Sequence, residues 1–76
     1  MSASETKFAN GAVKKLTPRE KMVLQAVAGG DASKVIASNL GISPRTVENH
    51  RRNIYSKLGI HSVAQAVRVA LQCAMF

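Results

Sequence analysis

Among its 76 residues the chain has no tryptophan, one tyrosine, two phenylalanines and a single cysteine. So few aromatics leave a core to be built from branched aliphatics and alanine. A lone cysteine closes no internal disulfide, and no Cys and His cluster has zinc-ligand spacing. No run approaches the roughly 18 apolar residues that a membrane-spanning helix requires, and the N-terminus lacks the apolar stretch of a signal peptide. Acidic residues are scarce as well: four Asp and Glu stand against eleven Lys and Arg, a formal charge of +7. With so few carboxylates there is no acid and base pair, and neither an activated nucleophile nor a phosphate-cradling loop is visible, so no enzyme is expected. The expectation is a reduced, cytoplasmic domain with no cofactor, no metal, no membrane contact and no small-molecule ligand. Its positive charge favours a polyanionic partner.

What is present is a core of modest size. A chain this short buries only roughly 60% of its unfolded surface, but 46% of its residues are hydrophobic, enough for one folded unit. Residues 1–15 show no sustained period, and Asn10-Gly11 reads as a turn. They are expected to form a flexible linker or N-terminal tail, with Phe8 and Val13 loose rather than docked. Residues 16–76 form the domain.

From Leu16 onward helix starts and stops alternate. Thr17 caps a first helix, Pro18 takes its first position and Glu20 completes a capping box; Val23, Leu24 and Val27 mark its inner face and Gly29-Gly30 ends it. A second, shorter helix runs from near Ser33 to Leu40, with Ile36, Ala37 and Leu40 inward and Gly41 as its stop. Ser43-Pro44 opens a third, which ends at Leu58 before Gly59. Ser62 caps a fourth, with Gln65 three positions on as its partner. No segment alternates with period two. The fold class is all-α, four helices.

Ala37, Gly41 and Val47 carry the functional signal. Two helices that cross steeply need a small side chain where their backbones meet, which Ala37 supplies. The short turn between them needs a residue at ease with positive φ, which Gly41 supplies. Val47 then returns onto the preceding helix beside Ile36, Leu40 and Ile42. This is the spacing of a helix-turn-helix. At about 100° per residue, Val47, Ile54 and Leu58 lie within about 20° of one line along the third helix. Opposite them fall Arg45, Asn49, Arg52 and Ser56, with Glu48 and Asn53 at the margins. Arginine bridges guanine acceptors and asparagine pairs twice with adenine, so this face fits the major groove of double-stranded DNA. Thr46, Arg51 and Lys57 around it, and Lys34 at the start of the second helix, are the candidates for phosphate contact. His50, beside the buried stripe, is expected to be a packed structural residue. Arg51 is expected to lay its methylenes on apolar surface and send its guanidinium outward.

The fourth helix is apolar over most of its circumference. Ala66, Val69, Ala70 and Cys73 make one arc, while Ala64, Val67, Leu71 and Met75 make another. One small domain covers one arc; the other implies a second copy, a homodimer through this helix, or the missing part of a longer chain. Cys73 is expected to be a small core residue rather than a redox sensor.

The run Leu16-Thr17-Pro18-Arg19-Glu20, then Ile36-Ala37, Leu40 through His50, and Ile54-Tyr55-Ser56-Lys57-Leu58-Gly59 resembles the LuxR/FixJ/NarL-type DNA-binding domain from Leu16 to about Leu71. The resemblance implies a four-helix, LuxR-type helix-turn-helix domain of a bacterial transcription regulator. Positions matching Glu48, Asn49 and Arg52 would face bases, those matching Thr46 and Lys57 would hold phosphates, and Ala64, Val67 and Leu71 would form the dimer seam. RNA polymerase is then a further expected partner. Three positions depart from the pattern: Met22 and Val35 replace customary charged residues, and Val63 replaces a frequent arginine after Ser62. Such domains usually follow a receiver or ligand-binding module, which makes the output domain of a two-component response regulator the expected context. A stand-alone small regulator of the same family, and a helical protein-interaction module, are the alternatives.

Overall fold

The computed structural model describes residues 13–73, and its helices fall where the caps put them. Helix α1 spans Pro18–Ala28, α2 Ser33–Leu40, α3 Pro44–Leu58 and α4 Val63–Gln72, with no strand among the described residues. Thr17 begins α1 with a complete capping box: its hydroxyl accepts from the Glu20 N–H at 3.1 Å, and Glu20 Oε1 accepts from the Thr17 N–H at 2.9 Å. Ser43 Oγ accepts from the Thr46 N–H at 3.1 Å and Pro44 takes the first turn of α3, where its missing donor costs nothing. Ser62 caps α4 through the Gln65 N–H. Gln65 differs from expectation: its side-chain oxygen accepts from the His61 N–H, one residue before the cap.

The hydrophobic core draws on all four helices. Leu24, Ile36, Ile54, Val23 and Val47 are its largest fully buried side chains, each contributing roughly 1.5–3 kcal/mol of burial. Leu16 and Ile60, at the loops flanking α1 and α4, close its ends. Helix α1 packs on α3 and α4, and α2 packs on α3. On α4, which packs against α1, Ala66 and Ala70 are wholly buried and Val69 is half-buried against the core.

The turns that follow α2 and α3 need glycine. Gly41 (φ 68°) ends α2 and Gly59 (φ 66°) ends α3, both in the left-handed region that side-chain-bearing residues enter at a cost. Ala37, buried to 2% exposure, accepts the Ile42 N–H at its carbonyl, so the α2–α3 turn closes on the small residue that lets it pass. At the other end of the domain, Val13 is half-buried against the core and its carbonyl accepts from the Leu16 N–H. The tail expected over residues 1–15 thus has a docked last segment. Phe8, the rest of that tail and Met75 lie outside the described residues.

Candidate nucleic-acid interface

Helix α3 has two unlike sides. Val47, Ile54 and Leu58 are buried, which turns the opposite side of the rod to solvent. There Arg45, Glu48, Asn49 and Arg52 are all exposed, followed by Asn53 and Ser56. On the helical wheel the first four span about 100° of arc, and the arc faces away from the buried line. This face presents two guanidinium groups, one amide and one carboxylate, the inventory that meets the edges of guanine, adenine and cytosine in a major groove.

The four phosphate candidates are distributed around this face. Lys34 is exposed in the first turn of α2. Thr46 is half-buried in the first turn of α3, its hydroxyl 2.9 Å from Ser43 Oγ. Thr46 and Lys57 share one flank of α3, about 20° apart on the wheel, and Arg51 occupies the other.

Two of these cations are already engaged, which spacing alone does not show. Arg51 does not send its guanidinium freely outward: it donates to Ser33 Oγ on α2 at 3.0 Å and to the Tyr55 hydroxyl at 3.5 Å. Its charge lies 5.9 Å from the Tyr55 ring centroid, within cation–π range. Lys57 donates from Nζ to Glu20 Oε1 at 2.7 Å, with a longer 3.5 Å approach to the Lys15 carbonyl. Glu20 is buried to 4% exposure, and the hydrogen bond from Lys57 is the first cause holding its carboxyl below the usual carboxylate value; the Thr17 N–H and the Lys57 charge add to this against the opposing effect of burial. The Lys57 side chain keeps 37% exposure while its ammonium reaches inward to Glu20. His50 is half-buried beside the stripe.

On α4 the two arcs separate. Ala66 and Ala70 are buried and Val69 is half-buried against the core, whereas Ala64 and Leu71 are exposed, Leu71 to 63%, and Val67 is half-buried. Val63 is exposed on the same side as Val67. Cys73 is half-buried, and burial pushes its thiol pKa up, away from a reactive thiolate. Met22 and Val35, the other two departures from the pattern, are both exposed. An open apolar groove of about 300 Å³ lies between α1 and α2 beside Met22; Asp31 is its one titratable lining residue, so it holds no acid and base pair. No helix among the described residues is long and apolar enough to cross a membrane.

A capped helix, a glycine turn and a following helix with one buried and one polar face define a helix-turn-helix DNA-binding domain of the kind found in transcription regulators. Residues 14–70 match the family described as bacterial regulatory proteins, luxR family, and the chain belongs to that family. It is 49% identical over 57 residues to the transcriptional regulatory protein YdfI of Bacillus subtilis, covering 75% of this chain and 27% of YdfI. It is 46% identical over 57 residues to the uncharacterized response regulatory protein YgeK of Escherichia coli, covering 75% of this chain and 39% of YgeK. The crystal structure of full-length FixJ from B. japonicum superposes with a TM-score of 0.79 at 34% identity, over 97% of this chain and 38% of FixJ. The chain therefore spans well under half the length of each.

Proposed function

We propose that the chain is the sequence-specific, double-stranded DNA-binding output domain of a two-component response regulator, acting as a dimer. The observation that carries this reading is the polarity of α3: a rod anchored by Val47, Ile54 and Leu58 offers Arg45, Glu48, Asn49 and Arg52 on its solvent side. Arg45 and Arg52 meet guanine O6 and N7, Asn49 pairs with adenine, and Glu48 accepts from cytosine N4. Lys34, Thr46, Arg51 and Lys57 hold the backbone and fix the register without reading sequence. Ala64, Val67 and Leu71 pair two copies through α4. That doubles the contacts, as a domain of this size requires against genomic competitors. Similarity to YgeK, a response regulatory protein, supports the two-component context, with RNA polymerase as the partner at the promoter.

The test is selection of bound sites from random duplexes, followed by Asn49→Ala on the selected site. A two-fold symmetric sequence is expected, and the variant should lose about 1–3 kcal/mol on it and little on random DNA. Equal losses on both duplexes would remove Asn49 from base reading. Failure to select any duplex would overturn the reading as a whole.

A further inference from the structure

Glu20 has no place in the DNA-facing surface, being buried in the first turn of α1, yet it sits at a junction. Its single Oε1 accepts both the Thr17 N–H at 2.9 Å and the Lys57 ammonium at 2.7 Å. The first bond closes the cap of α1 and needs only an acceptor; an amide oxygen would serve it equally well. The second joins that cap to the last turn of α3 across 37 residues. Capping alone therefore leaves the charge of Glu20 unexplained. Burying a carboxylate is costly unless it is paired, and its one ionic partner among the described residues is a lysine on the reading helix.

From the geometry we infer that Glu20 is a positioning residue for DNA binding, holding Lys57 in the pose in which it grips a backbone phosphate. This rests on the reading above, in which Lys57 is a phosphate contact. An ammonium has three N–H bonds. Lys57 directs one to Glu20 and leans a second toward the Lys15 carbonyl, while the side chain stays 37% exposed. Two acceptors leave one N–H of the three, and on this partly exposed flank of α3 a phosphate oxygen completes the set. A free lysine loses its rotamer freedom when it meets the backbone; this one has surrendered that freedom on folding, so binding has less to order. The pair also fixes the end of α3 furthest from the Ser43 cap and thereby the register of Asn49 and Arg52 between two anchors.

The test is a double-mutant cycle on the full 76-residue chain, with Glu20→Gln, Lys57→Gln and the double variant, read as affinity and salt slope on the selected duplex. Folding is checked by circular dichroism at the assay temperature. Lys57→Gln should flatten the salt dependence by about one unit of slope. Glu20→Gln should cost on the order of fivefold in affinity, and adding it to Lys57→Gln should cost nothing more. Thr17→Ala, which removes the cap and leaves the ion pair, should lower the melting temperature and leave the slope unmoved. Should Glu20→Gln fail to fold, Glu20→Asp withdraws the same charge by one methylene and should give a smaller loss in the same direction. Additive losses, or a folded Glu20 variant with unchanged affinity, would overturn the positioning role while leaving DNA binding intact. A Lys57→Gln slope equal to wild type would overturn both this role and the phosphate contact beneath it.

Discussion

Arg51 on α3 donates its guanidinium to the Ser33 hydroxyl on α2 at 3.0 Å, eighteen residues back along the chain. The two helices of the helix-turn-helix are thus tied by a directional bond as well as by Ile36 and Val47. Arg51→Ala should lower stability by about 1 kcal/mol, the net value of such a bond, read as a lower urea midpoint at unchanged slope. Arg51→Lys should recover little, because one ammonium does not reproduce a planar fork that reaches Ser33 and Tyr55 together. Full recovery by lysine would show that charge, not geometry, makes the tie.

Gly41 isolates the cost of backbone conformation. A Cβ built there meets no atom within 4 Å, yet φ is 68°. Gly41→Ala should therefore destabilise by roughly 1–2 kcal/mol through the left-handed backbone alone, and Gly41→Asn by less, since asparagine tolerates that region. Thermal melts of the two variants measure the difference; equal melting temperatures would contradict the account.

The stability of the domain should depend on acid through Glu20. Its folded pKa lies below the ordinary value of 4.5, chiefly because Lys57 bonds to the ionised form. A depressed folded pKa means that the carboxylate contributes in full above the unfolded value, and that this contribution drains away as pH falls through the folded one. The melting temperature of the wild type should fall on acidification below 4.5 more steeply than that of Glu20→Gln, which has no proton to gain there. Parallel curves would show that Glu20 titrates alike in the folded and unfolded chain.

Leu71, at 63% exposure, should be the most sensitive residue of the proposed dimer seam. Leu71→Glu places like charges against each other across a two-fold contact and should abolish the dimer on duplex DNA while changing the stability of the free domain by no more than about 0.5 kcal/mol. Sedimentation of the complex on a two-half-site duplex measures it; an unaltered 2:1 stoichiometry would move the seam elsewhere.

The helices were legible because their boundaries are local chemistry. Thr17, Ser43 and Ser62 each accept from an N–H three residues on, and Gly41 and Gly59 each mark a left-handed stop. The polarity of α3 was equally readable, since Val47, Ile54 and Leu58 recur at helical spacing. The partners of Arg51 and Lys57 were not. A wheel places each beside the buried stripe but says nothing of which hydroxyl or carboxylate a neighbouring helix brings there, and Glu20 was accounted for by its local cap. Val13, expected to be loose, is docked on the core for a related reason hidden from the sequence: a single apolar residue in an aperiodic segment has no period to betray its docking. Gln65 was matched to the right helix end but to the wrong donor, because the Ser62 and His61 N–H groups are one residue apart and only geometry chooses between them.

Ala66 and Ala70 set how close α4 lies to the rest of the domain. In the proposed pair, α4 is also the hinge-line about which the twin subunits are placed, so the stand-off between one reading rod and its mate depends on how closely Ala66 and Ala70, beside Val69, let α4 seat. Enlarging either would push the seam outward on both sides at once. Operator half-site spacing would then change without any alteration to a residue that touches a base.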